Sequence, residues 1–146
     1  MQSRFQTELL NLLAVFEQSA FRREILAAQE AYAEQAFTLK LKNGYIHGII
    51  DRICRDPQEC WHLIDYKTGP LKPEQRESEA RRYLRQLQIY ALCLQGRYPA
   101  QHSYPATIYF TDLDDTYTFE FSPAELQGAR VELEGIIAEI TTRWPA

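Results

Sequence analysis

Asp65 and Lys67 flank Tyr66 in Ile64-Asp65-Tyr66-Lys67-Thr68-Gly69, at the end of the mostly apolar run 61–64. Residues i and i+2 of a β-strand point to one face, so this acid and this lysine project side by side from a strand end, with the Tyr66 carbonyl beside them. The preceding apolar run, Tyr45-Ile46-His47-Gly48-Ile49-Ile50, also ends in an acid, Asp51. Further on, Gln86 and Tyr90 stand at i and i+4 of an amphipathic helical pattern and share one helix face. Two carboxylates and a carbonyl are hard oxygen donors of the kind that suit Mg²⁺ or Mn²⁺ and suit zinc poorly. A divalent cation so held could neutralise the charge that builds on a phosphodiester under attack and lower the pKa of a bound water. Lys67 is placed to orient that water or to stabilise the phosphoryl oxygens, and its charge is expected to keep Asp65 ionised.

The elements that must position these residues can be read from periodicity. Apolar residues at Phe5, Leu9, Leu12, Leu13 and Phe16 have helical spacing over 3–17, and Ser19 is a candidate cap for a second short helix carrying Ile25 and Leu26. Residues 34–42 read as a strand with Phe37, Leu39 and Leu41 on one face. Asn43-Gly44 is a hairpin signal. The next strand, 45–54, is apolar on both faces over much of its length, as a central strand should be. After the polar turn 55–59 a third strand covers 60–67, so the meander delivers Asp51 and Asp65 from neighbouring strands. A loop is expected from Pro70 to about Ser78, then a helix to about Leu94 with Tyr83, Leu84, Leu87, Ala91 and Leu94 inward and Gly96 as its C-cap. Strands at about 104–111 and 116–121 enclose a turn at 112–115. Ser122-Pro123 with Glu125 forms a capping box before a last helix carrying Leu126, Val131, Leu133, Ile136, Ile137 and Ile140. The expected class is α/β (α+β): a small mixed sheet, a three-strand meander plus two further strands, flanked by helices.

At 146 residues, with 45% hydrophobic and 25% charged residues, the chain is read as a single domain over 1–146 with an ordinary globular core. No apolar run approaches the length of a membrane span, and the N-terminus lacks a signal-peptide pattern. Cys54, Cys60 and Cys93 are an odd number at irregular spacing, which points to a reducing, cytoplasmic setting rather than a disulfide framework. The net charge of −4 argues against a strong stand-alone nucleic-acid binder, so DNA affinity must come from a local patch or another domain. The cluster Arg81, Arg82 and Arg85 is the candidate phosphate patch, although a solvated helix face is the ordinary reading of such a run.

The ordered set Gly48-Ile49-Ile50-Asp51, then Asp65-Tyr66-Lys67-Thr68-Gly69, then Tyr83 with Gln86-Leu87 and Tyr90-Ala91, resembles the RecB-type nucleases of the PD-(D/E)XK superfamily. It looks closest to the C-terminal nuclease domain of AddA/RecB-like helicase–nucleases. Phe16 and Ser19, Glu34 and Phe37, and Ile108-Tyr109-Phe110 support the resemblance, which covers roughly residues 10–140. It implies a restriction-endonuclease-like core and a divalent-metal-dependent DNA nuclease, an exonuclease of repair and recombination end processing, with DNA as substrate and a helicase fused or in complex. It also implies Asp51, Asp65 and the Tyr66 carbonyl as metal ligands, Lys67 as catalytic lysine, Gln86 and Tyr90 as groups positioning substrate or water, and Glu34 as an acid that extends the metal shell. Some relatives hold an iron–sulfur cluster on four cysteines, and this chain has three. Many carry a histidine ligand on a helix before the meander. The histidines here are His47, His62 and His102, so the chain either lacks that ligand or is a fragment cut after that helix.

The same residues have plainer readings. Asp65 and Lys67 could be a surface ion pair, Gln86 a solvated helix position, Tyr90 simple core, and Asp51 a strand-end acid. His47 is read as a solvated or packed histidine, and Trp61 and Trp144 as core or cap. The whole set also fits a catalytically weak or inactive nucleic-acid-binding or scaffolding module that keeps the fold.

Overall fold

The computed structural model describes residues 4–144; the Phe5 side chain, expected on the apolar face of the first helix, lies outside the described residues. Helix α1 (Arg4–Gln18) ends at Ser19, which caps α2 (Ala20–Leu26): its Oγ accepts from the Arg22 N–H at 3.0 Å and donates to the Phe16 carbonyl at 2.7 Å. Strands β1 (Glu30–Leu41), β2 (Gly44–Arg55) and β3 (Trp61–Lys67) form the expected meander. Strand β1 starts earlier than the apolar alternation suggested. Leu41 pairs with Gly44, so the hairpin turn falls on Lys42 and Asn43 and Gly44 opens β2. That register keeps Phe37, Leu39 and Leu41 on the core face, and a one-residue slip would turn all three outward.

The stretch read as a loop contains a 3-10 turn (Pro73–Gln75) that leads directly into α3 (Arg76–Arg82). The long helix expected from sequence is broken at Tyr83, and α4 (Leu84–Arg97) continues after it. Gly96 lies inside α4 rather than capping it, because the helix runs on until Tyr98, whose N–H donates to the Leu94 carbonyl at 2.8 Å. Strands β4 (Tyr104–Phe110) and β5 (Asp115–Phe121) and helix α5 (Pro123–Arg143) follow. The Ser122–Glu125 capping box forms as read: the Glu125 carboxylate accepts from the Ser122 N–H at 2.7 Å.

The five strands lie in chain order, antiparallel except for β3 and β4, which are parallel and therefore need the α3–α4 crossover. The sheet is mixed and carries helices on both faces. Leu63, Ile53, Ala106 and Ile108 meet Leu87, Ala91 and Leu94 of α4 and Leu126 and Leu133 of α5 on one face; Cys54 and Ile64 meet Ile25, Phe16 and Phe21 on the other. Trp61 is buried in the first core and stacks on Tyr98 with centroids 4.3 Å apart. Trp144 is not core, being 77% exposed at the end of α5. Val131, Ile136 and Ile140 are also exposed, because a helix lying on a sheet buries only a narrow stripe. Among the described residues no helix is long and apolar enough to cross a membrane.

Candidate metal and phosphodiester site

The ladder between β2 and β3 runs from Arg55–Trp61 to Arg52–Ile64 and stops there. Beyond it the Asp51 carboxylate takes the place of a strand partner and accepts the Tyr66 N–H at 2.9 Å. The two strands fork at this point. The N–H and C=O of one strand residue face the same neighbour, so the Tyr66 carbonyl also points into the fork. Lys67, one residue on, turns its carbonyl to the other side, where it accepts the Thr111 N–H at 3.0 Å.

Asp51 therefore lies inside β2 rather than at its end, and a local change of backbone brings it to the site. Ile50 and Ile53 are both buried in the main core, although strict alternation would put residues i and i+3 on opposite faces. The phase changes where β1 and β2 skip a pair: Ala33–Arg52 and Gln35–Ile50 are paired, and Glu34 stands opposite Asp51 between them with φ +50°. A left-handed non-glycine residue costs about 1–2 kcal/mol, so this kink is held by the packing on either side. It also separates His47 from Asp51 despite their shared parity. His47 stays on the exposed face, 3.0 Å from Thr38 Oγ1.

Asp65 is 2% exposed and faces Asp51 and Lys67. Lys67 Nζ stands 2.9 Å from Asp65 Oδ2 but outside hydrogen-bonding geometry, so this buried oxygen has an ionic neighbour and no hydrogen-bond donor. Lys67 donates instead to Gln86 Oε1 at 3.2 Å, and Gln86 Nε2 bonds the Tyr90 hydroxyl at 2.7 Å. The ammonium also lies 4.2 Å from the centroid of the Tyr83 ring. One continuous chain of interactions thus joins Asp65, Lys67, Gln86 and Tyr90. Burial works against the expected effect of Lys67 on Asp65. Desolvation raises the Asp65 pKa; Lys67 lowers it but does not overcome the desolvation, and the nearby Asp51 raises it further. Burial likewise raises the Tyr90 pKa, so that phenol keeps its proton.

Two features set the wall behind this chain. Gly48 sits across from Phe37, and a Cβ there would come within 2.7 Å of the Phe37 ring. The ring occupies that space and meets Tyr90 edge-on at 5.5 Å. Tyr83, read from sequence as part of the apolar helix side and of the resemblance but given no role at the site, occupies the α3–α4 break, which turns its ring over Lys67. Its signal in the sequence was an aromatic one turn before Gln86, which by itself does not place the ring over Lys67.

The remaining candidates are less central. Glu34 is exposed, and among the described residues no group of three His, Cys, Asp or Glu side chains is gathered for a metal ion. Arg81, Arg82 and Arg85 are each ion-paired, with Glu77 at 2.8 Å, Glu79 at 3.2 Å and Glu132 at 2.6 Å. The acid pair itself fits a hard divalent cation. A buried carboxylate oxygen lacks a donor, a second carboxylate faces it, a strand carbonyl points into the same fork, and no softer ligand intrudes.

Two solved structures resemble the chain. One, SSO0001, is 18% identical with a TM-score of 0.42, the match covering 94% of this chain and 57% of that one. The other, from Eubacterium rectale and named a "Putative exonuclease", is 14% identical with a TM-score of 0.54, covering 89% of this chain and 50% of that one. The chain thus spans about half the length of each. No curated protein matches the sequence. A family model for the PD-(D/E)XK nuclease superfamily matches residues 2–144, so the chain belongs to the PD-(D/E)XK nuclease superfamily.

Proposed function

We propose that the chain is a divalent-metal-dependent deoxyribonuclease of the RecB type, an exonuclease that works in the cytoplasm on DNA ends during repair or recombination and is delivered by a fused or associated helicase. The observation that carries this reading is the fork itself: Asp51 and the buried Asp65 carboxylate face each other, with Lys67 2.9 Å from Asp65 Oδ2. Superfamily membership, and a fold shared with a protein named an exonuclease, support nuclease chemistry.

Asp51, Asp65 and the Tyr66 carbonyl would hold Mg²⁺ or Mn²⁺, with Glu34 as an outer acid. When bound, the cation supplies charge neutralisation and a more acidic water. Lys67 then has two roles open to its ammonium: to hold the attacking water by a hydrogen bond, or to meet the negative charge that grows on the phosphoryl oxygens. Gln86 Oε1 fixes where that ammonium sits, and Tyr90 fixes Gln86. The Tyr83 face shields Lys67 from bulk solvent on one side, which strengthens its field at the phosphate. Removal of Gln86 should therefore loosen Lys67 without removing a ligand.

The exonuclease part of the proposal is tested with purified chain, Mn²⁺, and two DNAs of one sequence, linear and covalently closed. Degradation confined to the linear form is expected. Equal cutting of the closed circle would make the protein an endonuclease. A second reading, a binding module with little catalysis, draws on the two-acid site, which gathers no third acidic or histidine ligand among the described residues. Such a module would leave both DNAs intact.

A further inference from the structure

The sheet face opposite Lys67 and α4 carries α1 and α2, and a cavity of about 430 Å³ lies between these helices and the strands. Leu9, Leu12, Leu13 and Phe16 line it from α1, and Ile25 and Leu26 from α2. Leu12 and Phe16 are partly buried and Ile25 is buried, but Leu9, Leu13 and Leu26 stay 46%, 49% and 65% exposed. The cavity is therefore an open groove rather than an enclosed pocket. Leu10, half exposed and one turn before Leu13, continues the apolar surface beyond it. A soluble domain seldom leaves so continuous an apolar surface bare unless something docks there.

Charge narrows what that is. Arg22 of α2 and Arg52 of β2 line the groove, and no carboxylate does. Neither is in an ion pair among the described residues, whereas Arg55, Arg76, Arg81, Arg82 and Arg85 all are. Arg52 lies beside the Tyr66 side chain, and its buried Nε has no acceptor. A guanidinium carries five donors and no acceptor, so a partly buried one with donors unmet calls for an anion. Leu9, Leu13 and Phe16 repeat at i, i+4 and i+7 along about 10 Å of helix, the spacing that an amphipathic helix in a groove matches. A small ligand needs most of its surface covered, which half-exposed walls do not provide. A bilayer takes up a convex apolar face, and this one is concave. Two copies joined through this face would set unpaired arginines against unpaired arginines.

We propose that the groove between α1, α2 and the sheet docks an amphipathic helix of a partner protein. Its apolar residues cover Leu9, Leu13 and Leu26, and the acids that border them meet Arg22 and Arg52. The proposal does not rest on the nuclease reading, because the groove and the Asp65–Lys67 pair lie on opposite faces of the sheet.

The test is a fluorescence-anisotropy titration of the whole chain with two labelled synthetic helices, acetylated and amidated. Both carry leucines at i, i+4 and i+7; one borders them with glutamates and its twin with lysines. The glutamate peptide should bind about tenfold tighter than the lysine peptide, and salt should narrow the gap. L9Q/L13Q changes two half-exposed side chains and should weaken binding of the glutamate peptide about tenfold or more, with the melting temperature nearly kept. R22Q/R52Q should bring the two peptides to within about twofold of each other. Because Arg52 lies inside a strand, Arg22→Glu alone serves as a second variant, and in it the preference should shrink or reverse. Failure of the chain to bind either peptide, or equal binding of both by wild type, would overturn the proposal. So would a preference for glutamate that survives both arginine variants. A chain that ignores the peptides but dimerises through Leu9 and Leu13, or that binds vesicles of anionic lipid, would give the surface to a second copy or to a membrane and overturn it equally.

Discussion

Asp65 is the residue on which the proposed metal site turns. Its carboxyl is buried, stands close to a second carboxylate, and has an ionic partner that only partly compensates. A carboxyl whose pKa is raised on folding binds its proton more tightly in the native state, so metal-free stability must fall as pH climbs from the ordinary carboxylate range through the raised value. A cation that requires the ionised form reverses this, and its stabilisation should grow over the same interval. Thermal melts in EDTA and in Mn²⁺ across acid to neutral pH should therefore diverge as pH rises. In Asp65→Asn the pH-dependent loss should shrink and the Mn²⁺ gain should vanish. A wild-type protein whose EDTA and Mn²⁺ melts stay parallel at every pH would mean that Asp65 is not a ligand.

At the scale of elements, α4 presents the second half of the site and β1–β2 brace it. Gln86 touches Lys67 and Tyr90 through two partly buried side-chain hydrogen bonds and is not itself a core residue, so Gln86→Ala should slow cleavage and leave the melting temperature nearly unchanged. Gly48→Ala acts from behind. Its methyl would force the Phe37 ring toward Tyr90, an overpacking change of about 1–3 kcal/mol, with a loss of both stability and rate. If Gly48→Ala lowered stability but left the rate untouched, the Phe37–Tyr90 wall would have no part in catalysis. Much of this scaffold was legible beforehand. Period-two alternation gave β1, apolar runs bounded by turn signals gave β2 and β3, the Ser122-Pro123-Glu125 cap gave the start of α5, and the i, i+4 spacing put Gln86 and Tyr90 on one face. The fork was not legible, because Asp51 reaches the site only where a left-handed Glu34 shifts the pleat and where a side chain replaces a ladder bond. Both are consequences of neighbouring strands. The break at Tyr83 was hidden for the same reason: residues 76–97 have unbroken helical propensity, and the interruption comes from docking α3 and α4 separately on the sheet. Burial of Asp65 likewise depends on what covers β3, so the sequence suggested the sign of the Lys67 effect and not its defeat by desolvation.

For the molecule as a whole, the apolar side chains of α1 are the open question that structure raises. Leu9, Leu10, Leu13 and Val15 are each about half exposed, and among the described side chains of α1 Leu12 and Phe16 are the partly buried apolar ones. The net charge of −4 and the paired arginines of α3 and α4 together predict modest DNA affinity for the isolated chain. The central claim is nonetheless local: the carboxylates of Asp51 and Asp65 make a metal-dependent cutting site with Lys67. It is tested most directly by cleavage of end-labelled linear DNA as Mn²⁺ is titrated, for wild type, Asp51→Asn, Asp65→Asn and Lys67→Ala, with Mn²⁺ binding measured on the same samples. The expected result is metal-dependent cleavage by wild type, no cleavage and weakened Mn²⁺ binding in the two asparagine variants, and slow cleavage with Mn²⁺ binding retained in Lys67→Ala. Cleavage at the wild-type rate by either asparagine variant would contradict it.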